Sequence, residues 1–495
     1  MNFSPSRRHV LQTGAAVGAL GFLSKLPLLG ADEVKLNPDQ VQFHPEIEPL
    51  IRLLEETPRE RLLEEVASRI QKGTTYREVL SALLLAGIRN IQPRPVGFKF
   101  HAVLVVNSAH LASQNSPDSD RWLPIFWALD YFKSSQARDV EEGDWTMASV
   151  KEREVPSAEK SRQLFAEGMD QWDEAKVDAA TAGLARASGA QEVFDLFVKY
   201  GARDFRDIGH KAIFVANSWR TLQAIGWKHS EPVLRSLGYA LLQHSGSNPA
   251  DSDHEADLPG RLNEELQKKI RGDWQRGDLK KEATAEMLQI LREGTWKEAS
   301  QKVVELLNKK ISPQSIWDGL FQHASEMLMR KRGIISLHAS TTTNALHYAH
   351  QHTFNDDTRK FLLLQNAAFL TMFRDRAGIK SGVAIDSFEP VEGVPEIAEI
   401  FAEISGNKEL AARKALAYLK SAKDPKPFMK EAQRLIYLKG TGSHDYKFSS
   451  AVLEDYHSIS PGMRDRFLAA SVFWLQGSGK KDTDLVARTR AALGS

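Results

Sequence analysis

The chain has 495 residues, of which 42% are hydrophobic and 26% charged, and its formal net charge is +1 at pH 7. This composition is that of an ordinary globular protein, and the near-zero charge excludes strong electrostatic attraction to nucleic acid or to an anionic membrane. The absence of cysteine excludes disulfides, thiolate zinc sites, cysteine-ligated iron–sulfur clusters, blue-copper centres and covalently attached haem of the Cys-x-x-Cys-His type. Any metal must be bound by histidine, carboxylate or other oxygen ligands.

The first 31 residues are typical of an export signal. Arg7 and Arg8 directly precede an apolar stretch over residues 13–23, an order that resembles a twin-arginine signal. The stretch is shorter than the roughly 20 residues needed to span a bilayer, and Gly30-Ala31 offers a small-residue cleavage site. We therefore expect a periplasmic or otherwise extracytoplasmic protein and leave residues 1–31 out of the fold.

Export of this kind has two consequences. The signal contains Arg7, Arg8 and Lys25 and no acidic residue, so the mature part has a net charge near −2. The twin-arginine translocase, the partner expected during export, carries folded proteins, and this favours a cofactor acquired in the cytoplasm. No second apolar segment reaches transmembrane length.

Beyond the signal, almost every periodic segment has helical spacing. Apolar residues over 46–72 form one stripe, and the two segments with strand character, 98–106 and 333–337, each lead into a helical pattern. Helix starts are predicted by the capping boxes Thr75-x-x-Glu78 and Thr295-x-x-Glu298 and by a serine followed by proline at Ser230-Glu231-Pro232 and Ser312-Pro313. The sequence predicts an all-α fold, either a multi-helical bundle or a helical-repeat array of antiparallel helices.

Loop-like stretches divide the helical part of the chain. The breaks lie at 92–95, 245–261 and 382–395, with a further flexible stretch at 440–445. They predict an N-terminal helical region over 32–250, a central helical region with a histidine motif over 251–385 and a C-terminal helical region over 386–495.

One histidine-containing phrase is repeated in the chain. Its copies share histidine, alanine and asparagine, and two of them also end on a histidine: His101-Ala102-x4-Asn107-Ser108-x-His110, His338-Ala339-x4-Asn344-Ala345-x-His347 and the looser His210-x-Ala212-x4-Asn217-Ser218-x-Arg220. The residues between the polar positions are apolar or β-branched, as in a buried helix. Buried imidazoles and amides need partners, so the copies are expected to share one centre.

Helix geometry at about 100° per residue separates the groups within a copy. Asn107 and His110 share a face, whereas His101 and His110 lie on opposite faces of a regular helix. The first histidine is therefore expected either at the helix start or beside a different partner. Gly97 and Gly333, shortly before the first histidines, favour a position at the helix start.

The functional interpretation is a pocket lined by histidine and asparagine. In it, His101 and His338 act as ligands or proton-transfer groups, and Asn107 and Asn344 orient a polarised carbonyl. His210 and Asn217 bind a cofactor, and iron, copper or haem iron would be held by some of His101, His110, His210, His338 and His347. The alternative is a non-enzymatic helical-repeat binding or scaffold protein, in which the same residues only bridge neighbouring helices.

Another spacing, Glu454-x-x-His457, is that of helical di-iron proteins. Such sites need a second pair of this kind and further glutamates, and the sequence has no second Glu-x-x-His, only Asp207-x-x-His210 and Asp251-x-x-His254. We therefore do not expect a di-iron centre.

A family resemblance adds to this interpretation. The segments Ile316-Trp317-Asp318-Gly319-Leu320, Glu326-Met327-Leu328-Met329-Arg330 and Leu337-His338-Ala339-Ser340-Thr341-Thr342-Thr343-Asn344-Ala345-Leu346 resemble the histidine-containing region of the questin oxidase-like family, helical proteins associated with oxidative ring opening of polyketide quinones. The resemblance covers residues 312–352. It implies an all-helical fold and an oxygen-dependent oxidation, with His338 and Asn344 as site residues. We expect an oxidoreductase that acts on a hydrophobic or aromatic small-molecule ligand.

The export signal gives the first prediction. Replacing Arg7 and Arg8 together by lysine should hold the protein in the cytoplasm as a precursor, because the translocase recognises the arginine pair. Fractionation of cells and immunoblotting measure this, with Arg52 and Arg61 replaced by lysine as the matched control. Unchanged export of the Arg7, Arg8 variant would remove both the signal and the cofactor argument built on it.

Overall fold

The computed structural model describes residues 37–242, 248–422 and 424–494. The predicted export signal over 1–31 lies outside the described residues and stays a prediction. Within these ranges the regular structure is helical, and β pairing is limited to the isolated bridges Gln40–Ala148 and Asp278–Ile311. The predicted all-α, multi-helical fold is confirmed.

Eleven α-helices lie in the described part of the N-terminal region. They are α1 Glu48–Glu56, α2 Arg59–Gln71, α3 Tyr76–Asn90, α4 His101–Leu104, α5 Val106–Gln114, α6 Leu123–Glu141, α7 Ala158–Gln171, α8 Glu174–Ala187, α9 Ala190–Gly201, α10 His210–Ile225 and α11 Ser230–Leu241.

The central and C-terminal regions continue the same pattern. Their described helices are α12 Leu258–Leu266, α13 Lys281–Glu293, α14 Trp296–Asn308, α15 Pro313–Arg330, α16 Ile334–His352, α17 Asp356–Ala377, α18 Ile397–Glu403, α19 Lys408–Ser421, α20 Lys426–Lys439, α21 Ser443–Asp455, α22 Pro461–Ser471 and α23 Asp484–Leu493. Short 3₁₀ turns lie between some of them, at Phe98–Phe100, Asp118–Asp120, Glu152–Glu154, Trp227–His229, Gln267–Lys269 and Tyr456–Ser458.

The local start signals are mostly confirmed. Both predicted capping boxes are formed, and the Ser312 side chain accepts the backbone N–H of Gln314 at the start of α15. Ser230 is instead the first residue of α11, without a side-chain cap bond. The single stripe over 46–72 is also divided, because Pro58 stands between α1 and α2 and the residue before a proline disfavours the helical conformation.

Helices from all three predicted regions meet in one hydrophobic core. In particular α16 packs against both α10 and α21, so the division at 250 and 385 does not separate the residues described below. Helix α16 is buried over most of its length although it contains serines, threonines, histidines and an asparagine. Polar groups placed so deeply need internal partners. In the described ranges no helix combines the length and the apolar character required to cross a bilayer.

The start of α10 lies tightly against α16. Gly209, directly before α10, has a φ of 79°, and a Cβ at this position would overlap the side chain of Thr342. Only glycine meets both requirements without strain, because it tolerates positive φ and occupies no side-chain space. Gly209 therefore sets how closely the first turn of α10 approaches α16.

This packing gives a stability prediction. Gly209→Ala should lower the free energy of unfolding by about 2 to 4 kcal/mol, since it adds left-handed backbone strain to overpacking. Urea denaturation followed by circular dichroism measures the change. Gly272→Ala is the matched control, because nothing lies within 4 Å of its Cβ position, and its effect should stay within about 0.5 kcal/mol. Equal stability of the two variants would contradict the packing argument.

A buried histidine cluster as the candidate functional site

Three histidines, one from each copy of the repeated phrase, converge in the interior. His101 is the first residue of α4, His210 is the first residue of α10, and His338 lies in the second turn of α16. All three are buried. The Nε2 atom of His210 lies 3.1 Å from Nε2 of His101 and 2.9 Å from Nε2 of His338. The convergence expected from the repeated phrase is therefore present in the fold.

The other ring nitrogen of each histidine faces a backbone carbonyl oxygen. Nδ1 of His101 lies 2.8 Å from the oxygen of Phe98, Nδ1 of His210 lies 2.7 Å from that of Asp207, and Nδ1 of His338 lies 2.7 Å from that of Ile334. A carbonyl oxygen only accepts, so each Nδ1 must carry a proton and donate it. In a neutral ring, Nε2 is then unprotonated.

The three Nε2 atoms therefore direct lone pairs at one another. None of them has a proton to donate while its ring is neutral, so the short Nε2 separations are repulsive unless a positive charge lies between them. Protonation of a ring would supply such a charge, but burial opposes it. Burial lowers the pKa of His210 to about 3 and lowers the pKa values of His101 and His338 well below their usual range. A metal cation satisfies the arrangement best.

The geometry can be compared with that of a metal site. Nitrogen ligands about 2.1 Å from a tetrahedral metal lie about 3.4 Å from one another. The distances between Nε2 atoms in the cluster are 2.9 and 3.1 Å, and one ligand atom from each residue lies within 4.8 Å of the others. The two pairs that include His210 thus need to separate by only a few tenths of an ångström, and the ligand atoms of the third pair lie within 4.8 Å. The three residues fit a metal in ligand type, tautomer and spacing.

The backbone before the cluster is held in uncommon conformations. Phe98 and Ile208, which precede His101 and His210 by three and two residues, both have a φ of 45°. Gly97 has a φ of 127°, and a Cβ there would approach the His210 ring to 3.3 Å. Non-glycine residues at positive φ cost free energy and persist where surrounding packing enforces them. The turn at Gly97 and Phe98 therefore positions His101 and leaves space for the ring of His210.

A fourth histidine borders the cluster and was not predicted. The ring centroid of His444, the second residue of α21, lies 4.7 Å from that of His101 and 5.1 Å from that of His338. Within the described part of the chain its buried Nε2 has no hydrogen-bond partner. Burial lowers the pKa of His444 to about 3. Its free nitrogen makes it a further candidate ligand.

Lys447 lies one turn after His444 on the same face of α21. It is buried, and its Nζ has no hydrogen-bond partner among the described residues. Burial lowers the pKa of Lys447 to about 7, because the charged ammonium is poorly solvated there. Neither His444 nor Lys447 was predicted from the sequence as a site residue, because residues 440–445 look like a loop and α21 lacks the His-Ala-x4-Asn spacing. Their signal is the stripe His444, Lys447, Ser450 or Ala451, and Glu454, with steps of three or four residues.

Two predicted metal ligands lie outside the cluster. Nδ1 of His110 lies 2.9 Å from the hydroxyl oxygen of Tyr76. The His347 ring contacts the rings of Trp317 and Phe321, with centroids 4.7 and 4.9 Å away. Each is nine residues beyond the first histidine of its copy, about 13 Å along a helix at 1.5 Å per residue. The structure therefore does not bring these two side chains to the predicted shared centre.

The asparagines of the phrases form a second polar layer. Asn217 Nδ2 donates to the carbonyl oxygen of Leu104 at 3.0 Å, where α4 ends. Asn344 Nδ2 donates to carboxylate oxygens of Glu454 and Asp455 at 2.7 and 2.8 Å. Since these amides are engaged inside the protein, their observed role is to fix the helices and the groups beside them.

Arg220 joins this layer. It donates from Nη1 to Oδ1 of Asn217 and of Asn344 at 3.2 and 3.3 Å, and it forms an ion pair with Glu454 through Nη2. Its guanidinium carbon lies 3.8 Å from the centroid of the Tyr348 ring. Arg220 occupies the place that a histidine has in the other two copies of the phrase.

The third asparagine, Asn107, lines a narrow inner chamber. The chamber also contains Asn217, Arg220, Asn344 and Lys447. Its lining also includes Ile213, Thr341 and Lys447, which follow His210, His338 and His444 by three residues, and not the histidines themselves. The chamber therefore lies one helical turn from the histidine cluster. Polar groups from three copies of the phrase thus surround one interior space.

Comparison of the chain with known protein families, curated proteins and solved structures finds no match.

The lowered histidine pKa values predict a loss of stability in acid. An unfolded histidine binds a proton near pH 6.5, whereas His210 resists protonation until about pH 3 in the folded protein. Between these values the unfolded state binds more protons. The contribution is therefore complete above about pH 6.5 and is lost as the pH falls toward 3.

Urea denaturation of metal-free protein at pH 7, 6, 5 and 4 measures this dependence. The free energy of unfolding should fall at each step, and the fall should be shallower in His210→Asn. His457→Gln, which removes an exposed histidine, should retain the slope of the unaltered protein. A free energy of unfolding that stays constant down to pH 4 would contradict the assignment of neutral, buried imidazoles.

Proposed function

We propose that this protein is an exported, metal-dependent oxidoreductase that acts on a hydrophobic or aromatic small molecule at the histidine cluster. The observation that supports a metal most directly is the common direction of three unprotonated Nε2 atoms, each fixed by a hydrogen bond from Nδ1 to a backbone carbonyl oxygen. Such second bonds orient histidine ligands in metalloproteins and fix their tautomer.

The three histidine ligands limit which metal ions the site would bind. The three imidazoles are neutral and borderline in softness, a set that suits iron, copper, nickel or zinc better than calcium or magnesium, which prefer oxygen ligands. Three protein ligands also leave coordination positions for an external molecule, as catalytic metal sites require. The metal would supply redox chemistry or polarise a bound oxygen, and His101, His210 and His338 would hold it.

Oxidation is favoured over hydrolysis by the resemblance of residues 312–352 to the questin oxidase-like family, with dioxygen as the oxidant. The position of His338 in the cluster is compatible with the role that this resemblance implies. Asn344 does not fit the role of a group in direct contact with the substrate, because its amide is already hydrogen-bonded to Glu454, Asp455 and Arg220. We assign Asn344 to positioning rather than to direct contact with a carbonyl.

The metal gives the next prediction. Protein matured in its native host, or reconstituted with Fe²⁺ without oxygen, should contain about one metal ion per chain by inductively coupled plasma mass spectrometry. His210→Ala and His338→Ala should each lower this content at least tenfold, in keeping with removal of one of few ligands. The matched controls are His110→Ala and His347→Ala, which alter the same repeated phrases outside the cluster and should retain the metal.

The outcomes separate the hypotheses. Stoichiometric iron or copper, with oxygen uptake that depends on it, supports the oxidoreductase. Stoichiometric zinc in protein from the native host would replace oxidation by Lewis-acid chemistry. Absence of metal from every preparation, with stability unchanged in His338→Ala, would overturn the proposal in favour of a helical binding or scaffold protein.

A further inference from the structure

An open groove lies on the surface beside the inner chamber. It has a volume of about 370 Å³ and runs between α5, α20 and α21, within the range of small-molecule sites. Leu111, Ala112, Met429, Ile436 and Leu453 give it apolar walls. Two exposed lysines at its edge, Lys426 and Lys430, make its mouth positively charged.

The groove and the inner chamber share a narrow neck. Ser108, Leu111, Ser450 and Glu454 line both spaces. Ser450 Oγ donates to Ser108 Oγ at 2.9 Å and thereby joins α5 to α21 across the neck. The chamber itself has a volume of only about 10 Å³, so a ligand that enters it must separate groups that now touch.

The two members of the ion pair at this neck are held very differently. The Arg220 side chain is 9% exposed and is fixed by Asn217, Asn344 and the face of Tyr348. The Glu454 side chain is 41% exposed and can turn toward water, but it also accepts from Asn344 Nδ2 at 2.7 Å, and its departure would leave the buried Arg220 without a counter-charge unless another anion took its place. Arg220 would remain in place, with its charge and its N–H donors directed at the neck.

We propose that this groove is the access route to the histidine cluster and that Arg220 binds an anionic oxygen of the substrate in exchange for Glu454. The substrate class is an apolar or aromatic molecule that carries a carboxylate or a comparable acidic oxygen. This inference rests on the proposed function, because it assigns the substrate of the same site. The apolar walls of the groove would bind its hydrocarbon part first, and bidentate pairing with a planar guanidinium would orient the molecule at the neck. Arg220 is ten residues, about 15 Å along α10, from His210, so the substrate must move further through the chamber to reach the cluster.

Isothermal titration calorimetry with naphthalene-2-carboxylate tests the exchange, with naphthalene-2-carboxamide as the neutral probe of the same shape. The carboxylate should bind Glu454→Gln about threefold more tightly than the unaltered protein, since the variant lacks a competing carboxylate. It should bind Arg220→Gln at least about tenfold more weakly, because a charged hydrogen-bonded pair is lost. The carboxamide should bind all three proteins equally.

The chain offers a matched control for Glu454. Glu431 forms an exposed ion pair with Arg434 on α20 and lines neither the groove nor the chamber, so Glu431→Gln should leave the dissociation constant unchanged. Circular dichroism checks the folding of each variant. If Arg220→Gln fails to fold, Arg220→Lys and Glu454→Gln carry the test, because the lysine variant keeps the charge and loses the planar fork.

A steric variant tests the route. Ser450→Phe fills the neck and should abolish the difference between carboxylate and carboxamide binding, whereas Asn115→Phe, at an exposed position of the groove, should preserve it. Equal affinity for the two probes in the unaltered protein, or no binding of the carboxylate to either the unaltered protein or Glu454→Gln, would overturn the inference.

Metal content measured on the same preparations distinguishes the two proposals. Bound metal without carboxylate selectivity leaves the histidine centre standing and removes this access route. Carboxylate selectivity without any bound metal leaves the anion site standing and removes the metal-dependent oxidoreductase.

Discussion

The histidine cluster depends on three hydrogen bonds from imidazole Nδ1 to a carbonyl oxygen of the same turn. They fix the tautomer, and they also fix the direction of each ring, because the acceptors Phe98, Asp207 and Ile334 lie only three or four residues before their histidines. These carbonyl oxygens also serve the backbone, as Asp207 O does for the N–H of His210, so the imidazole uses the second lone pair of its acceptor. His101 and His210 are the first residues of their helices, and His338 lies in the second turn of α16. The tight approach at Gly97 and Gly209 follows from the shared centre, since three rings can meet only if the backbones that carry them come close together.

Beyond the histidines, polar side chains continue along the inner faces of α10 and α21 at helical spacing. From His210, steps of seven and three residues reach Asn217 and Arg220; from His444, steps of three and seven reach Lys447 and Glu454. These positions lie on one face of each helix. The helices therefore present successive layers to one another: imidazoles first, then Asn217 and Lys447, then the ion pair of Arg220 with Glu454. Buried polar groups in such a sequence of layers are expensive individually, and the side-chain bonds between the amides, Arg220 and the carboxylates offset that cost in the outer layer.

Much of this arrangement could be predicted from the sequence, and the part that could not has physical causes. Equal spacing in two copies, with a near match in the third, identified His101, His210 and His338 because helical phase repeats with residue number. The same logic included His110 and His347, which belong to two of the copies but lie too far along the helix axis to reach the centre.

His444 could not be found by repetition, since α21 carries a different phrase after a glycine-rich connection. Pairing between copies is a property of the tertiary fold, and so is the contact between Arg220 and Glu454, which are separated by 234 residues. The helix break at Pro58 could have been predicted from the sequence, because the residue before a proline disfavours the helical conformation. The apolar stripe over 46–72 reflects a core face shared by α1 and α2 and not a continuous helix.

The charged groups between the histidine cluster and the neck of the chamber are mostly positive. Within the described ranges the group that could hold a metal consists of histidines alone, so a divalent cation there would keep its full charge. Lys447 lies beside it, and Arg220 lies in the next layer. Glu454 is the partly exposed carboxylate that balances this region, and it does so from the neck, where a ligand would enter. An anionic ligand that replaced Glu454 would preserve the balance inside the chamber, whereas a neutral ligand would leave Arg220 unpaired at a site with little water. The same argument acts at the metal, whose remaining coordination positions would bind an anionic oxygen more strongly than a neutral one. A metal at the centre and Arg220 at the neck would therefore favour the same property of a ligand, a negative charge carried on oxygen.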